Sequence, residues 1–428
     1  MSDLTTLSSQ QIISTFHQYL QSIHLTLSAS KALMAYAAGS AITVGVALVV
    51  ELVIIFHGLP RGRPLSAAAQ HLPERPRVSI IVPTYREGER LLRTVNSLLA
   101  QDYEKDLYEV IIAGEPDDPT LDGPLARLGL RKVDGAEAVV NGVRVKLSLG
   151  DGRARGKPVA LNRAFSLAEG DVIGVLDADG AAPPDMISRA VRAISLGFAA
   201  AQMPRELVMP PEAKRTFAGA YIRGQGAEMA LYNRVLAPAL IGFAGSAWIT
   251  GTGYFVRRED LEEVGLWTPW APTEDLDLSA KLMGRGKSIA FVEGAPVLEE
   301  PLTSLAAVIR QKERWVRGSM LATFTALRGV RNTWPLLLFL IMPAWGYLLT
   351  PWLGILAVAR LHPQLLTWTL AWSAAWFLPS AAYYVSAILK AGRQVRPLPA
   401  AIAIYLVAGL LSLPKLIIKR YEWRGSRS

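Results

Sequence analysis

The chain has 428 residues, 51% of them hydrophobic and 19% charged, which is too apolar for an ordinary soluble enzyme and too charged for a pure membrane bundle. Its net charge of +9 is not gathered into a basic run interleaved with aromatics, so anionic lipid headgroups and a nucleotide diphosphate fit better than nucleic acid. Cysteine is absent, which excludes disulfides, thiolate metal sites and a cysteine nucleophile.

Residues 1–32 carry only Asp3 and Lys31 as charges. Ile12, Ile13, Phe16, Tyr19, Leu20 and Ile23 recur there at helical spacing, which predicts a short amphipathic helix. No basic region precedes a cleavable apolar core, so a signal peptide is not predicted. Leu33–Phe56 holds one charge, Glu51, and is long enough to span ~30 Å of hydrocarbon, which predicts a transmembrane helix over 33–57. Arg61, Arg63, Arg75 and Arg77 follow it, and the positive-inside bias puts the N-terminus outside and residue 60 onward in the cytoplasm.

From 77 to 300 the pattern is soluble α/β. Val78–Val82, Val110–Ile112 and Val172–Leu176 are short apolar runs rich in β-branched residues and read as buried strands. Helical stretches lie between them, Glu89–Ala100 and Lys157–Ala168. This alternation predicts a parallel sheet with right-handed crossovers and helices on both faces.

Leu302–Arg331 is amphipathic and dense in Arg310, Lys312, Arg314, Arg317 and Arg328, so it is predicted to lie in the headgroup plane. A membrane region over 336–418 follows, with apolar segments Leu336–Ala359, Leu365–Leu389 and Leu398–Ile418. Pro343 and Pro351 are expected to kink the first. The third reaches only Leu413 before Pro414, ~24 Å of helix. Basic residues flank the third on both sides, Lys390, Arg393 and Arg396 before it and the tail 419–428 after it. A re-entrant third segment and a third full crossing are the two competing topologies.

Three clusters carry chemistry. Asp177-Ala178-Asp179 stands where a predicted strand ends, the end at which open α/β sheets bind ligands. Its hard oxygens suit Mg2+ or Mn2+ shared with phosphate, and a solvated turn is the plainer reading. Thr273-Glu274-Asp275 opens a helical stretch. Thr273 reads as an N-cap with acids in the first turn, and a carboxylate fixed there also suits a base, Asp275 first and Glu274 second. Gln311-x-x-Arg314-Trp315 reads either as a snorkelling arginine with an interfacial tryptophan, or as a ring platform beside a guanidinium that reaches a diphosphate.

Other positions are weaker. Lys157 begins a helix, where a lysine opposes the dipole; diphosphate binding and plain exposure are its two readings. Pro83-Thr84-Tyr85-Arg86-Glu87 follows the first strand and lines the expected crevice. Gly251-Thr252-Gly253-Tyr254 allows close backbone approach to an acceptor.

In this order the motifs resemble membrane-integrated family 2 glycosyltransferases: cellulose, chitin and hyaluronan synthases and ceramide glucosyltransferase. The likeness runs from about Val78 to Trp315. It implies an α/β GT-A-type domain over 77–300, Rossmann-like with a mixed sheet, plus α-helical transmembrane segments. It also implies a nucleoside-diphosphate sugar donor, by default a UDP-sugar, with inversion and a divalent cation. On that resemblance Asp179 is the metal ligand with Asp177, which also contacts the donor sugar. Asp275 is the base with Glu274 second, Trp315 is the acceptor platform with Gln311, Gly251 and Thr252, and Arg314 and Lys157 meet the diphosphate. Pro83, Tyr85, Glu87 and Glu115 complete the donor side; Ala113-Gly114-Glu115-Pro116-Asp117 departs from the paired aspartates many relatives carry. The tail Tyr421–Arg427 is similar to the Trp-Arg-Gly tail of ceramide-type enzymes.

The expected protein is therefore an integral cell-membrane enzyme with a cytoplasmic catalytic domain, acting on a lipid-linked acceptor or a growing polysaccharide. A single-transfer, ceramide-type enzyme is the alternative, and a non-catalytic sugar-nucleotide-binding membrane protein the second.

Overall fold

Buried β-branched runs set the architecture: every residue of Val78–Pro83, Tyr108–Gly114 and Val172–Val175 is buried, because helices cover both faces of the sheet they form. The structure is a computed structural model. It describes residues 75–152, 155–213, 219–341 and 391–416, with parts of 49–65 and of 385–389. The expectations for 1–32, for most of Leu33–Phe56 and Leu365–Leu389, for Pro343 and Pro351, and for the tail 419–428 fall outside the described residues.

The strands are β1 (Val78–Pro83), β2 (Tyr108–Gly114), β3 (Glu137–Val140), β4 (Val143–Leu149), β5 (Val172–Val175), β6 (Ala200–Gln202), β7 (Arg205–Leu207), β8 (Tyr254–Arg257), β9 (Ile289–Phe291) and β10 (Val297–Glu299). Eight join in the order β3-β4-β2-β1-β5-β8-β6-β9, while β7 pairs with β10 separately. The helices are α1 (Glu89–Leu99), α2 (Asp122–Arg127), α3 (Lys157–Phe165), α4 (Met186–Ser195), α5 (Ala220–Leu231), α6 (Ala237–Ala244), α7 (Arg258–Glu263), α8 (Glu274–Gly284), α9 (Leu305–Arg328), α10 (Val330–Ile341) and α11 (Leu398–Leu416).

The sheet is mixed, as the resemblance implies, and not parallel throughout as strand–helix alternation alone suggests. Strand β8 runs antiparallel to both β5 and β6, and β3 antiparallel to β4. An apolar run encodes burial but not direction, so Tyr254–Arg257 alone could not reveal this. The reversal matters for the site. Tyr254 pairs with Val175, which brings the loop before β8 to the carboxyl end of β5.

Side chains alternate across the sheet with the period of the strand. Ile80, Val82, Val110 and Ile112 pack with Leu91 and Val95 of α1 and Ile187 and Val191 of α4. Ile81, Ile111 and Ile173 face the other core, with Leu161 of α3, Leu278 of α8, Ala322 of α9 and Ala401 of α11. The apolar C-terminal helices thus share a core with the sheet. Gly329, between α9 and α10, packs against Gly284 too closely to admit a Cβ.

Helix α11 lies along the domain: Ala401 packs on Gly224 of α5, and the Ser412 hydroxyl donates to the Glu313 carbonyl at 3.4 Å. It also continues through Pro414 to Leu416, a correction to the expected stop; so near a helix end the missing N–H forfeits a single bond. Among the described residues one helical segment, Gly392–Ser412, is long and apolar enough to cross a membrane by length and composition.

Candidate active site

Lys157 is the hub. Gly156 turns the chain with φ of 145°, Pro158 fixes the first turn of α3, and the lysine side chain enters the crevice at the end of β5. Its ammonium has three protons and three partners: the Gly251 carbonyl at 2.7 Å, Asp177 Oδ1 at 2.8 Å and Glu274 Oε1 at 2.9 Å. Plain exposure is therefore ruled out. Burial alone would depress its pKa, but the carboxylates of Asp177 and Glu274 outweigh that and raise it.

Asp177 and Asp179 follow β5 and are both half-buried. The turn is fixed twice: the Gly180 amide donates to the Asp177 carbonyl at 2.9 Å, and the Asp177 amide donates to Thr252 Oγ1 at 2.8 Å. Among the described residues no cluster of three or more His, Asp or Glu side chains is placed to hold a metal. Two carboxylates one residue apart still fit a divalent ion that takes its remaining oxygens from a diphosphate and water, the usual arrangement for Mg2+.

Thr273 holds the N-cap position of α8, but its side chain makes no capping bond, which corrects the predicted cap. Its hydroxyl is buried without a hydrogen-bond partner among the described residues, pressed against Gly318 of α9. Glu274 is buried and tied to Lys157. Asp275 is half-buried beside it. Burial first, and then the Glu274 charge, push the Asp275 carboxyl up to about 6, against the opposing pull of Lys157, the Leu276 amide and Arg314. Gly251 lies against it with φ of +92°, where a Cβ would sit 3.3 Å from Asp275 Oδ2.

Helix α9 supplies the third cluster. Arg314 Nη1 donates to the Pro272 carbonyl at 2.8 Å, clamping the segment that leads into Thr273. Trp315 and Gln311 are half-buried. The Lys312 ammonium stands 3.6 Å from the centroid of the Trp315 ring and pairs with Glu228 of α5. One face of the indole is covered by that cation.

At the other end of the crevice, Pro83 closes β1, and Tyr85 is buried beneath Arg86, whose guanidinium lies 5.1 Å from its ring centroid. Glu87 pairs with Arg90 at 3.0 Å. Two residues expected at the site are fully buried. Glu115 is paired with Arg163 at 3.4 Å, and its Oε2 has no hydrogen-bond partner among the described residues; burial raises its pKa although Arg163 opposes this. Thr252 has its hydroxyl on the Asp177 amide and so shapes the Asp177 turn.

Arg205 and Gln202 have no signal in the motifs, and Tyr254 is noted there only as part of its loop. Arg205 makes a two-pronged pair with Glu299 at 2.6 and 2.7 Å and donates to the Thr250 carbonyl. Its charge acts on both Asp177 and Asp275. Gln202 Nε2 donates to the Thr252 carbonyl at 2.9 Å and its Oε1 accepts from the Thr250 amide at 2.8 Å. Tyr254, buried under Lys157, accepts from Trp267 Nε1 at 2.8 Å. A charged arginine immediately after Pro204 was the one signal available for this group.

Known proteins are similar to this chain. The chain is 31% identical over 244 residues to the beta-monoglucosyldiacylglycerol synthase of Synechocystis sp., covering 57% of this chain and 48% of that one. It is 27% identical over 274 residues to the UDP-forming cellulose synthase catalytic subunit of Komagataeibacter sucrofermentans, covering 60% and 33%. The chain thus spans about half the length, or less, of these curated relatives. The mannosyltransferase of Pyrobaculum calidifontis, solved with GDP-mannose and Mn2+, superposes with a TM-score of 0.57 at 19% identity, covering 91% of this chain and all of that one. The shared fold is GT-A-like. The family model described as glycosyltransferase like family 2 matches residues 76–318, more than half of the chain, and the chain belongs to that family.

Proposed function

We propose that this family 2 glycosyltransferase moves a sugar, with inversion, from a nucleoside diphosphate to a hydroxyl of a lipid-linked or polysaccharide acceptor at a membrane surface. The observation that carries the reading is the Lys157 bridge, which ties the Asp177 turn to the Glu274-Asp275 pair at 2.8 and 2.9 Å. The metal-side carboxylate of Asp177 and Glu274, the neighbour of the candidate base, thus share one part-buried cation.

In this reading Asp275 takes the proton of the acceptor hydroxyl as its oxygen bonds to the anomeric carbon. The bond from that carbon to the diphosphate breaks, and the electron pair leaves with the nucleoside diphosphate. A carboxyl held at about 6 is mostly ionised at neutral pH yet basic enough to accept the proton. Arg314 holds the start of α8 in place, and its charge and that of Lys157 lie close enough to act on Asp275 and on the departing diphosphate. Asp179 and Asp177 would hold Mg2+ or Mn2+, which when bound neutralises charge on the leaving diphosphate. The cellulose synthase relative is UDP-forming, which favours a UDP-sugar here.

Membrane attachment rests on the apolar helix Gly392–Ser412 and on the cationic α9 beside it. The packing of α11 against α5 and α9 favours a segment that lies along the domain over one that leaves it. Incubating the purified chain with a panel of labelled sugar nucleotides tests the proposal. Release of one nucleoside diphosphate with label on extracted lipid supports single transfer, label in long chains supports polymerisation, and no release from any donor refutes the transferase reading.

A further inference from the structure

Three side-chain oxygens on residues held by Lys312 and Arg205 have no hydrogen-bond partner among the described residues: Glu228 Oε1, Asn233 Oδ1 and Thr250 Oγ1. Each is aimed, because the rest of its residue is already fixed. The other oxygen of Glu228 pairs with Lys312. Asn233 Nδ2 donates to the Arg205 carbonyl at 2.8 Å. Thr250 is held by its own amide and carbonyl, on Gln202 Oε1 and on the Arg205 guanidinium. Arg205 therefore touches both Asn233 and Thr250, and its charge acts on Asp275 and on Lys312. Asn233 and Thr250 thus meet on Arg205, Glu228 is held by Lys312, and Thr250 precedes Gly251, where a Cβ would lie 3.3 Å from Asp275 Oδ2.

Local structure explains how Asn233 comes to face Arg205. Tyr232–Leu236 is a π-helical turn between α5 and α6, closed by the Ala237 amide on the Tyr232 carbonyl. Pro238 has no N–H to continue the ordinary ladder, so the wide turn persists. Such turns are enriched at functional sites, since the extra residue re-aims its neighbours. Buried oxygens left without donors are rare in native proteins and unfavourable. Two of these three can only accept, and the third is a hydroxyl, so the complementary ligand brings several O–H donors.

We propose that Glu228, Asn233 and Thr250 form a polyol subsite, and that the acceptor group presented to Asp275 is itself a sugar rather than a lipid with a single hydroxyl. The inference deepens the transferase reading and rests on it for the role of Asp275. A sugar headgroup on a lipid and the end of a free oligosaccharide offer the same chemistry.

Equilibrium binding separates the cases and needs no donor. The full chain, in a phosphocholine detergent that carries no sugar, is titrated with hexyl β-glucoside, cellotriose and dioctanoylglycerol. A sugar-bearing probe should bind at least about tenfold more tightly than dioctanoylglycerol, the worth of one or two hydrogen bonds. Preference for the glucoside marks a glycolipid headgroup, and preference for cellotriose marks a glycan end; either supports the subsite. Asn233→Ala and Thr250→Val should each weaken the sugar probe by about tenfold, while Thr250→Ser, which keeps the hydroxyl, should retain the affinity. Equal or tighter binding of dioctanoylglycerol, or sugar affinity unchanged in Asn233→Ala and Thr250→Val, overturns the proposal. Sugar-nucleotide binding by the same variants is the separate readout of the transferase reading: if no donor binds the wild type, that reading fails while the acceptor titration still decides the subsite.

Discussion

Lys157 holds Glu274 at 2.9 Å, so the first residue of α3 fixes the first residue of α8. Both helix starts meet over the carboxyl end of β5, where Asp177 completes the contact at 2.8 Å. Neither helix dipole favours a lysine at its start. Two carboxylates and a carbonyl offset that cost.

Removing the cation should therefore be severe. Lys157→Met leaves buried Glu274 facing Asp177 with nothing between them, and breaking a buried pair costs about 3–5 kcal/mol. Lys157→Arg is not a rescue, since a planar guanidinium does not place three donors as the ammonium does. Thermal unfolding checks this: both variants should melt well below the wild type, Lys157→Met lowest.

Asp275 predicts the pH profile. Only its ionised form accepts a proton, so kcat/KM should fall as pH drops through about 6. Stability runs the other way. The folded-state pKa is raised from 3.8, so the folded chain holds this proton more tightly than the unfolded one. Stability is full below the unfolded value and declines as pH rises through about 6. Asp275→Asn removes that penalty, and the melting temperature of the variant relative to wild type should climb between pH 4 and pH 7.

Gly318 is predicted to be irreplaceable. A Cβ there would lie 2.7 Å from the Thr273 Cβ, immediately before the acid pair. Gly318→Ala should cost about 1–3 kcal/mol by overpacking and lower kcat, because the start of α8 moves. Unfolding curves and steady-state kinetics on the one variant test both halves.

Lys312 and Glu228 form a buried pair under Trp315. Burial depresses the Lys312 pKa, against the opposing effect of Glu228. Lys312→Met alone should destabilise by about 3–5 kcal/mol, whereas Lys312→Met with Glu228→Leu should recover most of it. The double variant should remain poor for acceptor, with KM raised, because one oxygen of the polyol subsite is gone.

How much of this was legible before folding varies by feature. Strands β1, β2 and β5 were readable because both faces are covered and the apolar runs are unbroken. The Asp177 turn was readable because it follows such a run. The direction of β8 was not, since a four-residue apolar strand carries no directional signal. Thr273 illustrates the limit on caps: the position was right, but Gly318 packs against the side chain that would have capped. Glu115 and Thr252 were placed on the crevice wall by their sequence neighbours, yet their burial depends on Arg163 and Asp177, which arrive from elsewhere. Asn233 was invisible, because its partner, the Arg205 carbonyl, arrives from a distant part of the chain.

Asp275 as the base is the central assignment, and one comparison tests it directly. Wild type and Asp275→Asn are measured for sugar-nucleotide affinity and for transfer with the donor the panel identifies. We predict donor affinity within about twofold and transfer slower by about 100-fold or more, the size of a lost general base. Transfer by Asp275→Asn at the wild-type rate would contradict the assignment.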